Sequence, residues 1–327
     1  STLIQHADMA LYVAKDSGRD QYCLHTLAMD DAVQTEIEMR FRLERALHDG
    51  HLVLHYQPIV ANTGTILGVE ALIRLQDPEQ GLLPPAAFFS ALDHFRLARP
   101  IGRFVLETAL RQGERWQQNG LSLRIAVNIS TQHLLDTRFL EDLQEALRKH
   151  PGLRPDQLEI EITESAPLQN LHEAQTVLEA CRRLGVHIAL DDFGTGNASL
   201  TYLQQFPAYA VKVDQSFVRD MIDDPKDLAI VTAVITASRM LGMEVVAEGV
   251  ETPELAMLLA KMGCSHFQGY LFTKPIPAEE IPDWIQKFHF AFPMEKNTSS
   301  MDVLPPVLEA HILRVQGVLR ALREGRS

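Results

Sequence analysis

Cysteine is scarce in this chain, and the three that occur, Cys23, Cys181 and Cys264, stand singly with no CxxC spacing. That excludes a disulfide framework and a cysteine zinc site, and it fits a reducing compartment. Long apolar runs are missing as well: LAIVTAVITA at 228–237 falls well short of the ~18 residues a membrane span needs. No signal-peptide pattern opens the chain, so a cytoplasmic location without membrane contact is expected, any anchor belonging to a longer parent. No Lys/Arg run appears, and the net charge of −13 excludes polymeric nucleic acid held by general attraction. An anionic small substrate therefore needs local help. Low-complexity tracts are absent, and 46% hydrophobic residues over 327 positions support a substantial globular core.

What is present, from Leu52 onward, is an alternation of strand-like and helix-like runs, the pattern of βα units around a mostly parallel sheet. The strand candidates are LVLHYQPIV, TILGVEALIRL, LSLRIAVN, QLEIEITE, VHIALDD, AYAVKVD, MEVVAE and SHFQG, about the number a closed (β/α) barrel requires. Helical spans are predicted over 101–118, 137–149, 172–184, 226–241 and 253–262. Only ANTG separates the first two strands, so the barrel is expected to begin with an antiparallel pair. The fold class is α/β, a modified TIM-like (β/α)8 barrel. Residues 1–27 read as the end of an upstream domain, 28–50 as a connector helix, 51–290 as the barrel, and 291–327 as a linker with a last amphipathic helix. That helix carries Leu308, Ile312, Val315, Leu319 and Leu322 at alternating four- and three-residue steps, a seam suited either to the barrel or to a partner.

Polar residues interrupt the strands at corresponding places. Glu70, Asn128, Glu161, Asp191 with Asp192, Lys212 with Asp214, Glu248 and Gln268 each sit in or at the end of a different strand candidate. One such carboxylate usually caps the next helix or faces solvent. Repetition changes the expectation, because the carboxyl ends of parallel strands converge on one face, where active sites lie. Carboxylates gathered there repel one another unless divalent cations intervene. Oxygen-only ligands suit Mg²⁺ or Mn²⁺, and adjacent Asp191 and Asp192 allow one carboxylate to bridge two ions. Thirteen histidines show no HExxH or HxH spacing, which disfavours zinc. In QLEIEITE, Glu161 is expected to reach the barrel mouth as a ligand and Glu159 to lie deeper, hydrogen-bonded. Two cations with Lys212 and Arg74 make the acidic pocket anion-binding, and the chemistry implied is metal-assisted hydrolysis of a phosphate ester.

The runs LHYQPIV, EALIRL, NIS, EITES, DDFGTGNASL, KVD, VVAEGVE and QGYLFTKP, in this order, closely resemble an EAL-domain phosphodiesterase, the bacterial family that hydrolyses cyclic di-GMP to linear pGpG. The resemblance covers about residues 51–290. It implies a modified (β/α) barrel and two Mg²⁺ or Mn²⁺ ions per site, one on Glu70, Asn128, Glu161 and Asp191, the other on Asp191, Asp192 and Glu248. It implies that Lys212 positions the water or phosphate and that Gln57, Leu72, Arg74 and Gln268 meet the substrate. Glu164, Asp214 and Glu251 match positions that support the loop and the metal cluster. It also implies a homodimer. HADMALYVAKDSGRDQY is similar to the extreme end of a GGDEF domain without its catalytic part. Asn197 and Ala198 stand where the family commonly has an aromatic residue and a serine, Leu75 where Trp is usual, and Tyr209 where Asp is frequent. The alternative is a non-catalytic cyclic di-GMP receptor signalling through its flanking helices, but receptors of that kind usually show broken ligand sets, and here the set is complete. A dinucleotide-binding turn at DDFGTGNASL leaves the other strand-end carboxylates unexplained.

Overall fold

The computed structural model describes residues 27–92, 94–163, 171–195, 203 and 206–290. The expected GGDEF-like remnant, the C-terminal seam, Glu164, Asn197 and Ala198 lie outside the described residues. The chain divides into two compact units, a smaller one comprising residues 1–53 and 74–101 and a larger one comprising 54–73 and 102–327.

The described strands are β1 Leu52–Ala61, β2 Ile66–Asp77, β3 Gly81–Leu83, β4 Arg124–Asn128, β5 Leu158–Thr163, β6 His187–Phe193, β7 Ala210–Val213, β8 Glu244–Ala247, β9 His266–Phe267 and β10 Ile276–Pro277. They form one sheet in the order β10-β1-β9-β8-β7-β6-β5-β4-β2-β3, and β1 also pairs with β2. That last pairing closes an eight-stranded barrel. Neighbours from β2 through β4 to β9 are parallel, whereas β1 is antiparallel to β9 and to β2. The expected hairpin is present: Ala61 N–H donates to the Thr65 carbonyl at 2.8 Å, and Gly64 turns the chain at φ 81°. All eight strand candidates become strands, with ends that differ from the expected ones by up to three residues: β1, β2 and β6 run one or two residues further, and β4 begins only at Arg124.

Strand alternation explains the layering. Val69, Ile125, Val127, Ile160, Ile188, Leu190 and Val211 are buried outside the ring, where helices cover them. The intervening positions face the lumen. There Ala126, Ala189 and Ala210 are small, which leaves room for the long side chains of Glu161, Lys212 and Arg124.

The helices in chain order are α1 Leu27–Asp49, α2 Phe89–Leu92, α3 Ala98–Gln118, α4 Thr131–Leu134, α5 Phe139–Lys149, α6 Leu171–Arg183, α7 Gln215–Asp220, α8 Pro225–Met240, α9 Pro253–Met262 and α10 Ile281–Lys287. Side-chain caps start several of them. Ser130 accepts from His133 N–H, Asp214 from Ser216 N–H, Asp224 from Lys226 N–H and Thr252 from Leu255 N–H; α8 and α9 add proline in their first turn. In the smaller unit, Leu43 and Ala46 of α1 are buried, and Arg42 bonds Asp77, whose Oδ1 also accepts the Glu79 and Gln80 N–H groups at 3.0 and 2.9 Å. No helix among the described residues is long and apolar enough to cross a membrane.

Candidate active site

The parallel registers bring the strand-end residues together within the larger unit. Glu70 lies opposite Ala126, Asn128 opposite Glu161, and Thr163 opposite Asp191. β6 needs a distortion to deliver both of its aspartates, since consecutive residues of a regular strand point to opposite faces. The register shifts between Leu190 and Phe193, and Asp192 adopts φ 54°, a left-handed conformation that aspartate tolerates better than most residues. The Asp192 carbonyl then accepts the Thr195 hydroxyl at 2.8 Å, and Asp192 N–H donates to Asp191 Oδ1 at 2.9 Å. Two overlapping groups result, each with ligand oxygens within 4.8 Å of one another: Glu70 with Glu161 and Asp191, and Asp191 with Asp192 and Glu248. Asp191 belongs to both.

Lys212 rises from β7 into this gap, 1% exposed. Its Nζ lies 2.6 Å from Glu248 Oε1, 3.0 Å from Glu161 Oε1, 3.2 Å from Glu70 Oε2 and 3.3 Å from Asp191 Oδ1. Glu70 has further donors: Asn128 Nδ2 and Gln268 Nε2 each reach it at 2.6 Å. Gln268 also donates to Gln57 Oε1 at 3.1 Å, and Gln57 Nε2 donates to the Thr273 carbonyl at 3.0 Å. An amide chain thus ties Glu70 to β1 and to the segment after β9.

The carboxyl groups differ in consequence. Burial pushes Glu70 up, but Lys212, Gln268 and Asn128 outweigh it and hold Glu70 below the usual glutamate range. This departs from simple mutual repulsion, which predicts that every member rises. Burial, with Glu70 and Asp191 nearby, holds Glu161 well above its usual range. Burial likewise raises Asp191 against the pull of Lys212. Asp192 is pushed up to about 7 by burial and by Asp191 and Asp214. Glu248 is pushed up to about 8 by burial against the pull of Lys212, with Asp191 and Glu70 adding repulsion. Both Glu161 oxygens are buried without a hydrogen bond, although the Lys212 ammonium lies beside one of them. Buried oxygens without a hydrogen bond, in an all-oxygen donor set, fit a hard divalent cation.

Not every expected residue joins this centre. Leu72 is half-buried, two residues beyond Glu70 on β2; Arg74 is half-buried and belongs to the smaller unit. Asp214 is occupied as the N-cap of α7 while adding its charge beside Asp192. Glu251 is exposed just ahead of α9. Leu75 is buried in the smaller unit. Glu159 is buried and accepts from Arg124 at 3.2 Å, in line with its expected deeper, hydrogen-bonded position.

At the other end of the lumen lies a group that strand-end reasoning missed. Arg124 donates to the Tyr209 hydroxyl at 3.0 Å, Tyr209 stacks on His187 with ring centroids 4.0 Å apart, and His266 Nδ1 meets Glu244 Oε2 at 2.8 Å. Arg124, Glu159, Glu244 and His266 border a small, partly open hollow. The available signal was the start of each strand: Arg124, Glu244 and His266 open β4, β8 and β9, so they stack in one layer.

A sequence profile described as the EAL domain matches residues 40–275. The cyclic di-GMP phosphodiesterase PdeR of Escherichia coli (strain K12) is 38% identical over 288 residues, 88% of this chain and 43% of that protein. MucR of Pseudomonas aeruginosa, a bifunctional diguanylate cyclase/cyclic di-GMP phosphodiesterase, is 38% identical over 281 residues, 85% of this chain and 41% of that protein. The chain therefore spans less than half the length of these two relatives. Among solved structures, the PaMucR phosphodiesterase in complex with c-di-GMP superposes with a TM-score of 0.72 at 38% identity, covering 75% of this chain and 99% of that one. The EAL enzyme Bd1971, bound to cAMP and cyclic di-GMP, gives a TM-score of 0.75 at 30% identity, covering 86% of this chain and 75% of that one. With a barrel whose first strand is reversed, paired acidic groups at one mouth and these likenesses, the chain belongs to the EAL domain family.

Proposed function

We propose that this chain hydrolyses cyclic di-GMP to linear pGpG with two divalent cations, Mg²⁺ or Mn²⁺. The observation that carries the proposal is the pair of acidic groups sharing Asp191, with both Glu161 oxygens buried and without a hydrogen bond. Glu70, Asn128, Glu161 and Asp191 would hold one ion, and Asp191, Asp192 and Glu248 the other. Bound there, the cations would neutralise the anionic diester and make water a better nucleophile. The reaction adds one water across a P–O3′ bond: the water oxygen bonds to phosphorus, and the ribose 3′-oxygen leaves with a proton.

The chain's own groups prepare this step. Asn128 and Gln268 fix the Glu70 carboxylate, and Gln57 anchors Gln268 in turn. Lys212 supplies the positive charge next to the reacting phosphate or water, and Gln57, Leu72, Arg74 and Gln268 meet the nucleotide. Asp214, Glu164 and Glu251 support the loops at the barrel mouth. Residues 51–290 form the catalytic barrel, 28–50 a connector helix, 1–27 the end of a GGDEF-like domain, and 291–327 a linker and helix. The active unit is a cytoplasmic homodimer.

The test is incubation of the purified chain with cyclic di-GMP and Mg²⁺ or Mn²⁺, with and without chelator, followed by chromatography of the products. Linear pGpG formed only with metal is the expected result. Tight nucleotide binding without linear product overturns the hydrolase reading in favour of a receptor.

A further inference from the structure

Lys212 contacts all three members of the first acidic group and two of the three in the second. Its ammonium lies within ion-pair distance of four carboxyl groups, more than its three N–H donors can serve at once, and its side chain is sealed from water. The four groups depend on it unequally. Glu70 also receives Asn128 and Gln268, and Asp191 receives a backbone N–H, but Glu161 has no hydrogen-bond donor. The oxygens suited to a divalent cation are therefore the ones the ammonium touches. A hard cation sits at about 2.0–2.6 Å from its oxygens, so it and the ammonium cannot share Glu161 and Glu248 without close cation–cation repulsion.

We propose that Lys212 is a resident counter-ion that holds the metal-free centre together and is displaced when divalent cations enter. This inference rests on the reading of these carboxyl groups as metal ligands. It assigns Lys212 two successive positions: within the carboxyl cage while the metals are absent, and beside it once they are bound. Only in the second is its charge free for an anionic diester, so metal entry precedes productive nucleotide binding. The arrangement trades metal affinity for stability of the empty site, because leaving four buried acidic groups without a cation is costly.

The experiment has two arms. In wild-type protein labelled with ¹⁵N-lysine, the buried Lys212 ammonium should give a slowly exchanging signal without metal that shifts or disappears as Mg²⁺ saturates the site. In Lys212→Met, calorimetric titration should show Mn²⁺ binding roughly tenfold tighter or more, with a lowered metal-free melting temperature that Mn²⁺ restores. An ammonium signal unmoved at saturating Mg²⁺ overturns the inference, and so does a folded Lys212→Met protein that binds Mn²⁺ no more tightly than wild type. Should Lys212→Met fail to fold without metal, the wild-type signal decides alone. Wild-type protein that takes up neither Mg²⁺ nor Mn²⁺ overturns the hydrolase reading itself, whereas metal-dependent hydrolysis with an unmoved ammonium signal overturns only the displacement.

Discussion

Glu70 and Glu161 share one cage yet should respond unequally to neutralisation. Glu70 accepts two amide N–H bonds at 2.6 Å and an ammonium at 3.2 Å, so its charge is integrated into the metal-free fold. Removing one partner of such a buried charged network costs about 3–5 kcal/mol. For a domain of this size each kcal/mol moves the melting temperature by about 2–4 °C, so Glu70→Ala should melt roughly 6–20 °C below wild type in chelator. Glu161 accepts no hydrogen bond and has the Lys212 ammonium beside it at 3.0 Å, but burial with Glu70 and Asp191 outweighs that cation and favours its neutral form. The isosteric Glu161→Gln keeps that neutrality and should stay within about 1 kcal/mol of wild type. Both variants should lose hydrolysis. The assay is differential scanning calorimetry in chelator beside product chromatography with Mn²⁺. Equal destabilisation of the two, or a more stable Glu70→Ala protein, would refute the assignment of Glu70 as the integrated charge.

Other expectations follow from the same geometry. Saturating the wild type with Mn²⁺ at about one hundred times its dissociation constant should raise stability by about 2.7 kcal/mol, seen as a melting shift that chelator reverses; no shift would contradict a resident cation site. A Cβ on Gly269 would strike the backbone of Val250, whose N–H donates to the Gln268 carbonyl at 3.0 Å, so Gly269→Ala should cost about 1–3 kcal/mol and weaken metal uptake by displacing Glu248 and Gln268. Burial and Arg124 hold the His187 imidazole below its ordinary 6.5, so its neutral form stabilises the fold above that value and the contribution is lost as pH falls towards the native pKa. His187→Phe keeps the stack on Tyr209 without the titration, and its melting temperature should fall less than wild type between pH 7.5 and 5.5, as calorimetry across that range would show.

The barrel and its acidic mouth were legible because both rest on local alternation. A strand such as β5 must point Glu159 and Glu161 the same way, and parallel neighbours must bring their ends to one rim. Geometry beyond the pleat was not legible. Asp192 reaches the centre only through the bulge and the left-handed turn at φ 54°, and nothing in DDF announces that distortion. The low range of Glu70 arises, against burial, from Lys212 on β7 and from amides on β4 and after β9, which come near only when the ring closes. The short helices α4 and α7 were missed because each spans six residues or fewer, too little for a helical period to register. Arg124 and His187 looked like ordinary polar strand residues and Tyr209 stood out only as a replacement for a frequent Asp; their stack depends on a layer set by register rather than by spacing.

The reversed first strand makes the sheet a circle whose seam joins remote parts of the chain. Tyr56 pairs with Ile276 and Val60 with Phe267, and the bond from Gln57 to Thr273 spans 216 residues. During synthesis, the leading hairpin must wait with one edge unsatisfied until β9 emerges. Loop-closure entropy grows only as about (3/2)RT ln n, so this delay costs little at equilibrium but is slow to overcome kinetically. The amide chain from Gln57 through Gln268 to Glu70 crosses that same seam. Assembly of the acidic mouth and completion of the circle are one event, and a chain halted before β9 would carry the acidic side chains without the clasp that organises them.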